Sequence, residues 1–111
     1  MATFDRFDVV SLPFPAADRP VRERRPALVV SQPAHEQATG LIWVVMITAG
    51  ENRARPHDVP LSDPRFAGLS IPSVIRPTKI ATIEATQAKR IGRVTAEDQH
   101  AVQSALRAIL G

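Results

Sequence analysis

The sequence predicts a mainly β domain, a small curled antiparallel barrel with few helices that closes on a C-terminal α-helix. Three observations predict it. Short β-rich apolar runs recur along the chain, Pro- and Gly-rich turns separate them, and only the C-terminal segment carries an apolar stripe at helical spacing. With 111 residues, of which 44% are hydrophobic, the chain has material for one core, so residues 1–111 are read as a single domain.

Taken in order, Phe7-Asp8-Val9-Val10-Ser11-Leu12-Pro13-Phe14 is β-rich and closed by Pro13 and Pro15, as for a first strand running into a loop. Pro15 to Arg24 is poor in apolar residues and reads as an exposed connection. Pro26-Ala27-Leu28-Val29-Val30-Ser31 and Leu41-Ile42-Trp43-Val44-Val45-Met46-Ile47-Thr48 are continuous apolar runs, predicted to be strands buried on both faces at the centre of the sheet, with Trp43 in the core. Between them, Pro33 to Thr39 suits one helical turn, entered at Ser31 or Gln32 and left at Gly40. His57-Asp58-Val59-Pro60-Leu61 alternates, and Pro60 suits an edge strand. Two short β pieces follow, Ser73 to Arg76 and Lys79 to Ile83, with Pro77 interrupting them. Lys89 to Val94 is the last strand, where Gly92 marks a bulge or a close backbone approach. Thr95-Ala96-Glu97-Asp98 then starts a helix with a hydroxyl cap and acids in its first turn, and Ala101, Val102, Ala105, Leu106, Ile109 and Leu110 form the stripe that docks on the sheet.

Charge and composition narrow the function classes. Arg19, Arg22, Arg24 and Arg25 crowd one short stretch opposed only by Glu23, and twelve of the fourteen cations are arginines, which favours bidentate contacts to phosphate or carboxylate. The absence of cysteine excludes disulfides, thiol catalysis and thiolate metal sites. No apolar run reaches the roughly 18 residues of a membrane span and no signal-peptide layout opens the chain, so a soluble, cytoplasmic protein without membrane contact is expected. His35, His57 and His100 lie far apart and make no paired metal motif; they read as surface residues. There is no glycine-rich phosphate loop and no Gly-x-Ser-x-Gly.

What remains is arginines and hydroxyls near strand ends. Arg25 stands directly before one central strand and Thr48 ends the other, and in adjacent antiparallel strands the start of one lies beside the end of its neighbour. On the residues alone two roles stay open: the pair forms a site at one edge of the barrel, or Arg25 solvates a strand end while Thr48 satisfies a turn.

Phe4-Asp-Arg-Phe-Asp-Val-Val-Ser-Leu-Pro-Phe-Pro, Arg24-Arg-Pro-Ala-Leu-Val-Val-Ser, Met46-Ile-Thr, Ser73-Val-Ile-Arg and Arg90-Ile-Gly-Arg-Val-Thr are similar, in order and spacing, to the PemK/MazF-like toxins, a group within the CcdB/PemK superfamily. The most specific piece is Arg25-Pro26 before an apolar strand, followed about twenty residues later by a strand ending Met46-Ile47-Thr48. The resemblance implies an SH3-like barrel, a homodimer, Arg25 and Thr48 as the catalytic pair, and an endoribonuclease that cuts single-stranded RNA at a short sequence without metal or cofactor. It further implies a cognate antitoxin with a largely disordered tail, and a cover over the RNA groove at Pro15 to Arg24, where Arg19, Arg22 and Arg24 would track the backbone together with Arg76. One branch, resembling the Kid toxin, carries Arg-x-Asp where this chain has Arg76-Pro77-Thr78, so the proposed acidic base is replaced by a threonine. Two other readings compete: a gyrase-binding toxin of the CcdB type, disfavoured because the C-terminal Ala108-Ile109-Leu110-Gly111 lacks that group's Trp, and a non-catalytic RNA-binding barrel.

Overall fold

Six strands join in one antiparallel sheet of order β4-β5-β3-β2-β1-β6 in the computed structural model of the protein, which describes residues 2–13, 24–51 and 54–111. The strands are β1 (Asp8–Pro13), β2 (Arg24–Val29), β3 (Leu41–Ala49), β4 (Val59–Pro60), β5 (Ser73–Glu84) and β6 (Lys89–Arg93). Helix α1 (Pro33–Thr39) joins β2 to β3, and α2 (Ala96–Leu110) ends the chain. The sheet is curled, as a small barrel of this kind requires. Its two central strands are the two that read as continuous apolar runs, and the reason is burial on both faces. On one face Leu28, Val45, Ile47 and Ile75 pack with Val102 and Leu106 of α2; on the other Ala27, Val29, Ile42, Val44 and Met46 pack with Val10, Leu12 and Phe4.

Local chemistry sets the ends of the helices. Pro33 opens α1, where its missing N–H costs nothing, and Gly40 closes it in the left-handed conformation with φ 74° while donating to the carbonyl of Glu36. Thr95 caps α2 through its hydroxyl, which accepts from the Asp98 amide. Asp98 in turn accepts from the amide and hydroxyl of Ser62, both at 3.0 Å, so the first turn of α2 also fixes the chain after β4. Gly92 proves to be both things expected of it. The β1–β6 register slips between Val9 and Val10, and a Cβ at Gly92 would stand 2.3 Å from the Ala67 carbonyl carbon, where the 66–68 segment crosses β6.

Four expectations need correction. Pro77 does not break β5, which runs unbroken from Ser73 to Glu84. Its register against β3 instead jumps between Val45↔Ile80 and Met46↔Arg76, so Pro77, Thr78 and Lys79 bulge out of the ladder, where a proline has no N–H to waste. Trp43 is not core: it is 43% exposed, because it shares a face with Val45 and Ile47 but lies at the margin of what α2 covers. The α2 stripe is likewise buried only through Leu106, with Ile109 and Leu110 exposed. The histidines divide. His57 is exposed, but His35 is half-buried with its ring edge-on to Trp43 at 6.0 Å.

Candidate functional site

Antiparallel pairing brings Arg25 and Thr48 together. The β2–β3 ladder runs Val29↔Val44, Leu28↔Val45 and Ala27↔Met46; extending that register by two residues points Arg25 at Thr48, and both line the same two cavities. Both lie on the face that carries Ala27, Val29, Val44 and Met46, because side chains alternate along a strand. On the neighbouring strand Arg76 pairs with Met46 and therefore shares that face. Arg25, Thr48, Met46, Ile47, Arg76 and Lys79 line a cavity of about 70 Å³. Arg25, Ile47 and Thr48 also border a second cavity of about 410 Å³, which extends past Ala49 to Leu69, Ser70 and Ile71. Thus three cations surround a hydroxyl held at the end of a rigid strand.

Lys79 and Asp58 belong to this region although neither stood out in the sequence. Lys79 reaches the cavity because the Pro77–Lys79 bulge lifts it out of the ladder. Asp58 precedes Val59, which pairs with Ile75, and so lies across from Arg76. Its Oδ1 accepts from Arg76 Nε and its Oδ2 from Arg76 Nη2, each at 3.2 Å. These side chains are only 13% and 10% exposed. Burial pushes the Asp58 carboxyl pKa up, but the hydrogen bonds from Arg76 and the Arg55 amide, with the charges of Arg76 and Arg55, outweigh it and hold the group below its usual value of 3.8. Asp58 is therefore ionised at neutral pH.

Arg24 is tied to the backbone around it. Its Nε donates to Ser11 Oγ at 2.9 Å, and its Nη2 donates to the carbonyls of Ser11 and Gln87, so it ties the start of β2 to β1 and to the short turn Ala85–Gln87 while still lining the larger cavity. Arg19 and Arg22 lie outside the described residues. Among the described residues no three His, Asp or Glu side chains gather as a metal site, and no helix is long and apolar enough to cross a membrane.

Similarity to known proteins agrees with the fold. A crystal structure of a MazE-MazF complex from Deinococcus radiodurans superposes with a TM-score of 0.75 at 27% identity, covering 96% of this chain and 94% of that one. MazF from the same organism gives 0.75 at 26% identity, covering 96% of each chain. An endoribonuclease in complex with its cognate antitoxin from a mycobacterial species gives 0.74 at 23% identity over 96% and 94% of the two chains, a likeness of fold. No curated protein matches the sequence. Residues 5–110 match the model of the PemK-like, MazF-like toxins of type II toxin-antitoxin systems, and the chain belongs to that family.

Proposed function

We propose that this toxin is an endoribonuclease that cuts single-stranded RNA through attack of the RNA's own 2′-hydroxyl, with Arg25 and Thr48 as the catalytic pair. The observation that carries the reading is their cross-strand juxtaposition at a cavity ringed by Arg25, Arg76 and Lys79. In the reaction O2′ bonds to the adjacent phosphorus and the P–O5′ bond breaks, leaving a 2′,3′-cyclic phosphate and a 5′-hydroxyl. The 2′-hydroxyl loses its proton and O5′ gains one. Because the substrate carries its own nucleophile, the protein has to orient it and stabilise the charge on the phosphorane. A guanidinium does the second: it stays charged at all working pH and donates two hydrogen bonds to phosphate oxygens, and one such preorganised donor supplies roughly 2.7–4 kcal/mol. The Thr48 hydroxyl orients the phosphate or the 2′-hydroxyl.

Arg76 and Lys79 bind neighbouring phosphates, and Arg24 borders the larger cavity, whose volume suits part of a nucleotide. These contacts fix the backbone without reading sequence. Acting on RNA, the toxin would work in the cytoplasm, restrained by an antitoxin whose carboxylate-rich tail meets the same cations; the MazE-MazF complexes of relatives support such a partner. The working unit is a homodimer, which the exposed apolar face around Trp43, Ile80 and Leu110 supports.

The test is incubation of the purified protein with long single-stranded RNA in EDTA, followed by mapping of the ends. Cuts recurring at one short sequence are expected. Intact RNA together with inhibited DNA gyrase would establish the CcdB-type reading instead, and binding without cuts would leave a non-catalytic RNA-binding barrel.

A further inference from the structure

Asp58 contributes no contact to either cavity at the Arg25–Thr48 site, yet it is among the most tightly held carboxylates near it. Its Oδ2 accepts from the Arg55 amide at 2.8 Å while its own amide donates to the Arg55 carbonyl at 3.2 Å, a reciprocal turn that fixes the side chain before any arginine is considered. The turn passes through His57, whose φ of 69° is left-handed, and leads directly into the Val59↔Ile75 pair. So the carboxylate is aimed at Arg76 by the backbone on both sides of it.

We propose that Asp58 is a positioning residue that locks the Arg76 guanidinium at the rim of the Arg25–Thr48 cavity and so sets how Arg76 meets a substrate phosphate. The inference rests on the nuclease reading. Arg76 is a long side chain among like charges, with Arg25 and Lys79 on the same cavity, and without a counter-charge repulsion would drive it outward. Two parallel hydrogen bonds fix both the place and the plane of the guanidinium, as a single contact would not. The carboxylate remains ionised and already bonded, which suits it to hold an arginine and not to take up a proton. It thereby supplies, from the turn before β4, an acid beside this arginine.

The experiment is a double-mutant cycle on the full chain with Asp58→Ala, Arg76→Ala and the pair, read by single-turnover cleavage of single-stranded RNA and by the arginine Nε–H signals in ¹⁵N-correlated NMR. Asp58→Ala should slow cleavage on the order of 10- to 100-fold, as misplacement of a remote contact does, and should have no further effect once Arg76 is alanine. In the NMR spectrum it should shift or broaden the Nε–H signal that Arg76→Ala removes. Should Asp58→Ala unfold the chain, the near-isosteric Asp58→Asn takes its place in the same cycle. Equal slowing in the presence and absence of Arg76, or an unchanged Arg76 signal, in an active wild type overturns the proposal and leaves the nuclease reading standing. A wild type that leaves RNA intact overturns the nuclease reading itself, and Arg76 then has no substrate phosphate to be positioned for.

Discussion

Arg25 and Thr48 come to one cavity because a register set by buried residues, Ala27↔Met46 and its neighbours, points the ends of two strands at one another. That placement was legible in the sequence, since both residues flank runs whose burial on two faces made them central. Asp58 and Lys79 were not legible, for separate physical reasons. Asp58 meets Arg76 across the β4–β5 pair, eighteen positions away in sequence, and pairing between edge residues leaves no periodic trace. Lys79 enters through a bulge that the sequence presented as a break at Pro77. For the pair itself the expectation is quantitative. Arg25→Ala should lower the cleavage rate by roughly 10²–10³-fold with little change in melting temperature, since the side chain is exposed. Arg25→Lys should recover only part of that loss, because an ammonium keeps the charge but not the planar fork. Thr48→Val, which keeps the shape and removes the hydroxyl, should cost about tenfold or more. If Arg25→Ala and Thr48→Val both cut RNA at the wild-type rate, the pair has a structural role.

Among the elements, the helix ends specified by local chemistry were read correctly, and the course of β5, shaped by packing, was not. The limits of α1 and the start of α2 follow from Pro33, Gly40 and Thr95, each acting on its own backbone. The unity of β5 follows from its long pairing with β3, which overrides the local signal of Pro77. Helix α1 has a second function that the sequence hid. Glu36 is buried and accepts the amides of Thr3 at 2.8 Å and Phe4 at 3.0 Å, anchoring the segment whose Phe4 covers one face of the sheet. Burial pushes the Glu36 pKa up, but these amides, with the Thr3 side chain, outweigh it and hold the group below its usual 4.5. A depressed folded-state pKa means that the stabilisation is complete above the unfolded value and is lost as pH falls through the folded one. Unfolding in denaturant should therefore show a Glu36 contribution that is constant from neutral pH down to about 5 and declines below 4.5. Glu36→Gln should lower stability at pH 7 and flatten that decline; an equally steep decline in the variant would remove Glu36 from the account.

At the scale of the whole molecule, the sheet has more apolar surface than α2 covers. Val30, Trp43, Ile80 and Leu110 border an open groove of about 310 Å³ beside Leu106, continuous with the core under the helix. The sequence could not reveal this. The pattern of a strand reports that a residue is apolar, while its burial depends on how far a distant helix extends, so Trp43 read as core and is partly open to water. In a homodimer a second copy would cover this face. Leu110→Asp should then shift the chain from dimer to monomer in sedimentation velocity while leaving the melting temperature of the dilute protein almost unchanged, since Leu110 is 63% exposed within one chain. An unaltered sedimentation profile would place the interface elsewhere.

In the proposed reaction the RNA supplies the nucleophile, and Arg25 and Thr48 act on the charge and alignment of its attack. Its most direct test compares two oligonucleotides that share the mapped cleavage sequence and differ only in a 2′-deoxyribose on the 5′ side of the scissile phosphate. The all-ribose strand should be cleaved to a 2′,3′-cyclic phosphate and the deoxy strand should stay intact at that position. Equal cleavage of both would mean that water or a protein group attacks the phosphorus, and would contradict the proposed reaction.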